Sequence, residues 1–144
     1  MIDNIIDQLK RDEGFRATVY SDSRGFSTIG YGHNLDAHPM PGVTVITELY
    51  AETLLRQDLE PITSKLIALL PWTDTLDDVY LGILENMSFN MGVEGLVGFH
   101  HMLSYMQMSQ WQQAADAMKS SDWYTEVGDR AVRLYAQMVT GEWQ

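Results

Sequence analysis

The chain has no cysteine among its 144 residues, which excludes a disulfide scaffold, a thiol nucleophile and thiolate zinc sites together. Basic residues are scarce as well: nine Lys and Arg stand against twenty Asp and Glu, a net charge of −11. A nucleic-acid partner needs a basic face to meet its phosphates, so this balance argues against one. No apolar run approaches the roughly 20 residues of a membrane span, and stable membrane insertion is not expected. The opening Met1-Ile2-Asp3-Asn4 has neither a basic segment nor a continuous apolar one, so the expectation is a protein that stays soluble in the cell that makes it.

What is present is 45% apolar content, enough for one compact domain with its own core. The charge is unevenly spread. Up to His33 there are four basic and five acidic residues, and from Arg130 onward two basic and one acidic. The segment between holds fourteen acids against Arg56, Lys65 and Lys119. The two ends are therefore close to neutral, and the acidic middle favours solubility and weak adhesion to anionic polymers.

Ile2, Ile5, Ile6 and Leu9 follow the i, i+3, i+4, i+7 spacing of a helix with one buried stripe, and Gly14 is a natural stop. Glu13 then falls in the last turn, where free carbonyls give a negative field that does not help a carboxylate to ionise. That is the direction a general acid requires. Residues 17–20 and 26–31 read as short strands around the turn Asp22-Ser23-Arg24-Gly25. Gly30 and Gly32, isolated in a strand pattern, signal a bulge or a close approach of backbones. Residues 34–44, with Pro39, Pro41 and Gly42, read as loop, and residues 43–45 offer a short third strand.

Thr47 is a candidate N-cap for a long helix over 47–70 carrying Ala51, Leu54, Leu55, Leu59, Ile62, Leu66 and Leu70. Pro61 is expected to kink it or to start a second helix after Glu60. Pro71-Trp72-Thr73 is a break, and Thr75 with Asp78 resembles a capping box. Leu76, Val79, Tyr80, Ile83, Leu84 and Met87 make the next helix apolar on most of its circumference, as suits the centre of a bundle, and Gly92 ends it. Ser109 with Gln112, Ser120 or Ser121, and Asp129 are the expected starts of the remaining helices. The pattern predicts a helix-rich α+β protein with one small sheet.

Against that frame the most informative residues are Glu13, Asp22 and Thr28, spaced E-x(8)-D-x(5)-T and running into Thr28-Ile29-Gly30-Tyr31-Gly32-His33. Three short polar side chains are brought together from a helix end, a turn and a strand. Two carboxylates flanking a scissile bond are what glycoside hydrolysis uses. The combination resembles the lysozymes (muramidases) of T-even-type bacteriophages and their endolysin relatives, glycoside hydrolase family 24. Similarity resumes in Asn86-Met87-Ser88-Phe89-Asn90-Met91-Gly92, Gly95-Leu96-Val97-Gly98-Phe99, Trp111, Ala114-Ala115, Trp123-Tyr124, Arg130 and Thr140-Gly141-Glu142-Trp143. It covers nearly the whole chain apart from the stretch after His33, which is shorter than in the family.

The resemblance implies a single lysozyme-like domain over 1–144. Its small antiparallel sheet lobe spans about 13–46, its connecting helix about 47–70 and its helical lobe about 71–144, with the helix of residues 1–12 packing on the last. It also implies hydrolysis of the β-1,4 bond between N-acetylmuramic acid and N-acetylglucosamine, with inversion and without metal or cofactor. Glu13 would be the general acid, Asp22 would orient or activate the attacking water, and Thr28 would hold that water. Arg130 matches an arginine that pairs with this glutamate across the cleft, and Phe89 matches a substrate contact. Asn34, Met102 and Ala117 stand at further contact positions with differing residue types, and Asn34 is kept as substrate-binding. His33 and Gly30 are supporting residues of the sheet lobe. The implied partner is the peptidoglycan glycan strand, acted on by a monomer made in the host cytoplasm that reaches the wall through a holin-like route. The acidic charge departs from the many basic members of this family.

Taken singly these residues have plainer readings: a solvated glutamate, an aspartate in a turn, a threonine in a strand, an exposed arginine, a phenylalanine in a core. The joint spacing is what overturns them. His100 and His101 are neighbours in sequence and so do not share a helix face, which argues against a metal pair. The four Trp read as core anchors. A lytic transglycosylase, working with one acid, is disfavoured by the presence of Asp22 and Thr28. A non-catalytic wall-binding or tail-associated protein is disfavoured by the intact triad, while the acidic surface and the differing contact positions keep that alternative open.

Overall fold

The computed structural model describes residues 1–144 throughout. Its elements are α1 (Ile5–Glu13), β1 (Arg16–Ser21), β2 (Ser27–Gly30), β3 (His33–Asn34), α2 (Glu48–Leu69), a 3-10 turn (Pro71–Thr75), α3 (Asp78–Met91), α4 (Val93–Val97), α5 (His100–Gln107), α6 (Trp111–Lys119), α7 (Asp122–Val127) and α8 (Asp129–Thr140). The result is an α+β fold in which a small antiparallel sheet lobe is linked through the long α2 to a helical lobe. Two compact units divide the chain, one of Ile6–Pro61 and one of Met1–Ile5 with Ile62–Gln144. No helix is long and apolar enough to cross a membrane.

In the sheet unit, α1 buries Ile6, Gln8 and Leu9, and Lys10 and Arg11 sit in its last turn, where cations complement the carbonyl end. The Gly14 N–H closes it on the Lys10 carbonyl at 3.0 Å. The sheet runs β1-β2-β3, with Tyr20 opposite Thr28, Thr28 opposite Asn34, and Ile29 opposite His33. The second strand ends one residue earlier than its pattern suggests, because Tyr31 and Gly32 make the tight turn into β3. The third strand is His33–Asn34 and not residues 43–45, of which only Val45 pairs, in an isolated bridge with Thr18. Leu9, Ile29, Ile46, Ala51, Leu55 and Leu59 fill the core of this unit.

Thr47 caps α2 as expected, its hydroxyl accepting the Tyr50 N–H at 3.1 Å. Pro61 lies within one continuous helix, so no second helix begins after Glu60. A proline removes one backbone bond, and the buried Leu55, Leu59 and Leu66 on either side of it hold the helix through that loss.

The helical unit closes on Leu66, Ile83, Leu84, Met87, Leu96 and Met118, with Trp72, Trp111 and Trp123 partly buried around them. α3 ends at Gly92 as expected, and Ser121 caps α7 by accepting the Tyr124 N–H at 3.2 Å. Three expected caps differ. Thr75 donates its hydroxyl to the Trp72 carbonyl inside the 3-10 turn, and α3 starts behind Asp77 without a side-chain cap. Ser109 adopts a left-handed conformation and α6 starts behind Gln110. Asp129 is the first residue of α8, preceded by Gly128 at the cap position.

Candidate active site

The hairpin of β1 and β2 builds most of the site from its own backbone. Asp22 Oδ1 accepts the N–H groups of Arg24 and Phe26, each at 2.9 Å, which is how a turn aspartate holds its own loop. The Asp22 N–H in turn donates to the Phe26 carbonyl at 2.9 Å. Thr28, only 2% exposed, donates its hydroxyl to the same carbonyl at 2.9 Å. One backbone oxygen therefore receives both residues, and their two donor atoms lie within about 6 Å of each other, twice a hydrogen-bond length.

The side-chain bonds fix what each residue has left to offer. The Thr28 hydroxyl has spent its proton and retains acceptor lone pairs. Asp22 has both its bonds on Oδ1, which leaves Oδ2 to accept.

Glu13 is half-buried at the last residue of α1. Its carboxylate lies against the main chain of the turn between β2 and β3, with Oε1 at 2.6 Å from the point where a Cβ on Gly32 would stand. Tyr20 feels the charge of both acids. Burial raises its phenol, and the charges of Glu13 and Asp22 push in the same direction while Arg16, 4.3 Å over its ring, opposes them. Both carboxylates thus act on the side chain whose strand partner is Thr28.

Support comes from below. His33, buried opposite Ile29, holds Asp58 of α2 at 2.8 Å through Nδ1. That hydrogen bond raises the imidazole above its ordinary value, against burial, which lowers it. The His38 ring stacks on it at 5.7 Å. Gly30 is a close approach, since a Cβ there would stand 3.1 Å from both Ala51 Cβ and Ile46 Cδ1. Asn34, opposite Thr28, uses its Oδ1 to accept the N–H groups of Asp36 and Ala37 at 2.9 and 3.0 Å.

The remaining expected residues belong to the helical unit. Phe89 is half-buried near the end of α3. Arg130, in the first turn of α8, donates Nε to the Oδ1 of the fully buried Asn86 at 2.7 Å. A groove of about 550 Å³ on this unit is lined by Phe99, His101, Met102, Tyr105, Asp116 and Ala117, so two of the divergent contact positions, Met102 and Ala117, share it. Sequence reasoning did not single out Tyr20, which feels the charge of both acids, or Asp58, the partner of His33. Period-2 placement opposite Thr28 could have suggested Tyr20, but nothing local connects His33 to a residue twenty-five positions away.

The family model described as phage lysozyme matches residues 10–136. The chain belongs to that family. The match runs through the triad, the connecting helix and most of the helical unit. The chain is 29% identical to "Probable T4-type lysozyme 1" of Dictyostelium discoideum over 168 aligned positions, covering 98% of this chain and 96% of that protein. It is 34% identical to the endolysin of Salmonella phage P22 over 116 positions, 79% of this chain and 77% of the endolysin. It is also 29% identical to the pre-baseplate central spike protein Gp5 of Enterobacteria phage T4, where it covers 96% of its own length and spans only 28% of the spike protein.

Proposed function

We propose that this chain is a peptidoglycan hydrolase of the muramidase type. It cleaves the β-1,4 bond between N-acetylmuramic acid and N-acetylglucosamine, as its place among phage lysozymes and endolysins supports. The observation that carries the reading is the hairpin turn in which Asp22 Oδ1 accepts the Arg24 and Phe26 N–H groups while the Thr28 hydroxyl donates to the Phe26 carbonyl, so that Asp22 Oδ2 and the Thr28 lone pairs remain as acceptors.

Glu13, protonated, donates its proton to the glycosidic oxygen as the bond to the anomeric carbon breaks. Water held by Thr28 attacks that carbon from the opposite face, and Asp22 takes the proton the water loses. The product is a hydrated reducing end of inverted configuration, and one water has been consumed per bond. Phe89 and Asn34 serve as substrate contacts, with His33 and Gly30 holding the sheet that carries the triad. The enzyme works as a monomer, made in the host cytoplasm and admitted to the wall by a holin-like route.

The test is digestion of purified peptidoglycan by the wild type, Glu13→Gln and Asp22→Asn, with products resolved by mass and anomer ratio. Inverted, hydrated muramic-acid ends, lost in Glu13→Gln, are expected. Anhydro ends would replace the reading with a transglycosylase, retained configuration would make Asp22 a nucleophile, and wall binding without cleavage would end the enzymatic reading.

A further inference from the structure

The Glu13 carboxylate and the Gly32 main chain are closer than any side chain at position 32 permits. A Cβ built on Gly32 stands 2.6 Å from Glu13 Oε1, 3.4 Å from its carboxyl carbon and 3.5 Å from Cγ. The two carbon distances are ordinary contacts, so the conflict is confined to one oxygen of the carboxyl group. We infer that Gly32 is a positioning residue for the general acid, its bare α-carbon forming the seat that fixes where the Glu13 carboxyl points. The inference rests on the reading of Glu13 as that acid.

Geometry decides what a side chain here would do. Oε1 is the far end of a flexible side chain, so a new Cβ moves the carboxyl before it moves the main chain. Restoring an ordinary contact of about 3.4 Å requires a shift of just under 1 Å, and a misplacement of that size at a reacting group costs about 10²-fold in rate. The seat itself is held firmly: His33 follows Gly32 directly, pairs with β2 opposite Ile29 and is tied to Asp58 on α2. Backbone conformation adds a separate effect, because Gly32 has a φ of +75° that L side chains rarely adopt. Gly42 isolates that second effect, having a φ of +79° with open space around it.

The experiment compares Gly32→Ala, Gly42→Ala, Glu13→Gln and Gly32→Ala/Glu13→Gln for thermal stability and for kcat and KM on solubilised peptidoglycan. Gly32→Ala is expected to lose stability comparably with Gly42→Ala, to lose about 10²-fold in kcat and to change KM less than about threefold. Its effect on kcat should vanish in the Glu13→Gln background. A Gly32→Ala enzyme that keeps kcat within about twofold, or loses through KM alone, overturns the inference. Should Gly32→Ala fail to fold, Gly32→Ala/Glu13→Ala, which removes the opposing oxygen, is expected to fold, and its failure beside a folded Gly42→Ala also overturns the inference. Full activity in Glu13→Gln would instead sink the acid reading, a result visible without any change at Gly32.

Discussion

Replacing Asp58 by Asn keeps the shape and the acceptor that His33 uses and removes only the charge. The pair is secluded, with 7% of the His33 side chain and 19% of the Asp58 side chain exposed, so solvent screens it little. A hydrogen bond to an ionised partner contributes about 1.5–3 kcal/mol against about 0.5–1.5 for a neutral one. The substitution should therefore destabilise by about 1–2 kcal/mol, a Tm roughly 3–8 °C lower at this chain length. The effect has a pH window with a definite sign. The folded imidazole is raised above its unfolded value, chiefly by the Asp58 hydrogen bond. Its stabilisation is then complete below the unfolded value of about 6.5 and fades as pH rises through the folded one. Thermal unfolding of wild type and Asp58→Asn at pH 5.5 and pH 9 should show a large gap at the lower pH and a smaller one at the higher. A gap that is equal at both, or larger at pH 9, would refute the idea that His33 carries a charge against Asp58.

Other consequences are as direct. Glu13→Gln should lower kcat by about 10²–10⁴-fold, the usual worth of a general acid, with Tm nearly unchanged because the residue is only half-buried. Glu85, 6% exposed, accepts the Thr63 hydroxyl at 2.6 Å and is raised by desolvation. Its folded form binds a proton more readily than its unfolded form, so stability falls as pH rises past the unfolded value. Glu85→Gln should thus raise stability at pH 7 by on the order of 1 kcal/mol, and unfolding at pH 4 should show that advantage gone. A Cβ at Gly82 would come within 2.6 Å of Trp143 Cζ3, so Gly82→Ala must displace that indole. A loss of about 1–3 kcal/mol in urea unfolding is expected, with activity on peptidoglycan retained.

How much of this was legible in the sequence differs between the two levels. The placement of Glu13, Asp22 and Thr28 at a helix end, a turn and a strand was readable because they lie within one hairpin and the helix before it, where spacing in sequence translates into local structure. Caps at Thr47 and Ser121 were readable for the same reason. Thr75 failed as a cap because it closes the 3-10 turn begun at Pro71, so that α3 starts only behind Asp77. The two-residue β3 is too short to carry an alternation of its own, whereas residues 43–45 have β-branched chemistry but pair only through Val45. Gly32 was legible as a close approach of backbones but not as a seat for Glu13, and Asp58 was not legible at all. Both depend on contacts between elements that only the folded chain brings together.

The Phe26 backbone meets Asp22 through both its N–H and its carbonyl, and Thr28 through the carbonyl alone. Its side chain, 39% exposed beneath the Arg24 guanidinium, takes no part in those bonds. The position is accordingly permissive in its side chain: a mutational library at residue 26 can vary size, charge and polarity while the backbone bonds to Asp22 and Thr28 are inherited unchanged. Proline alone is barred, since it has no N–H to give Asp22. Natural variation or directed evolution can therefore retune the surface chemistry of this turn without disturbing the hydrogen bonds that hold Asp22 and Thr28.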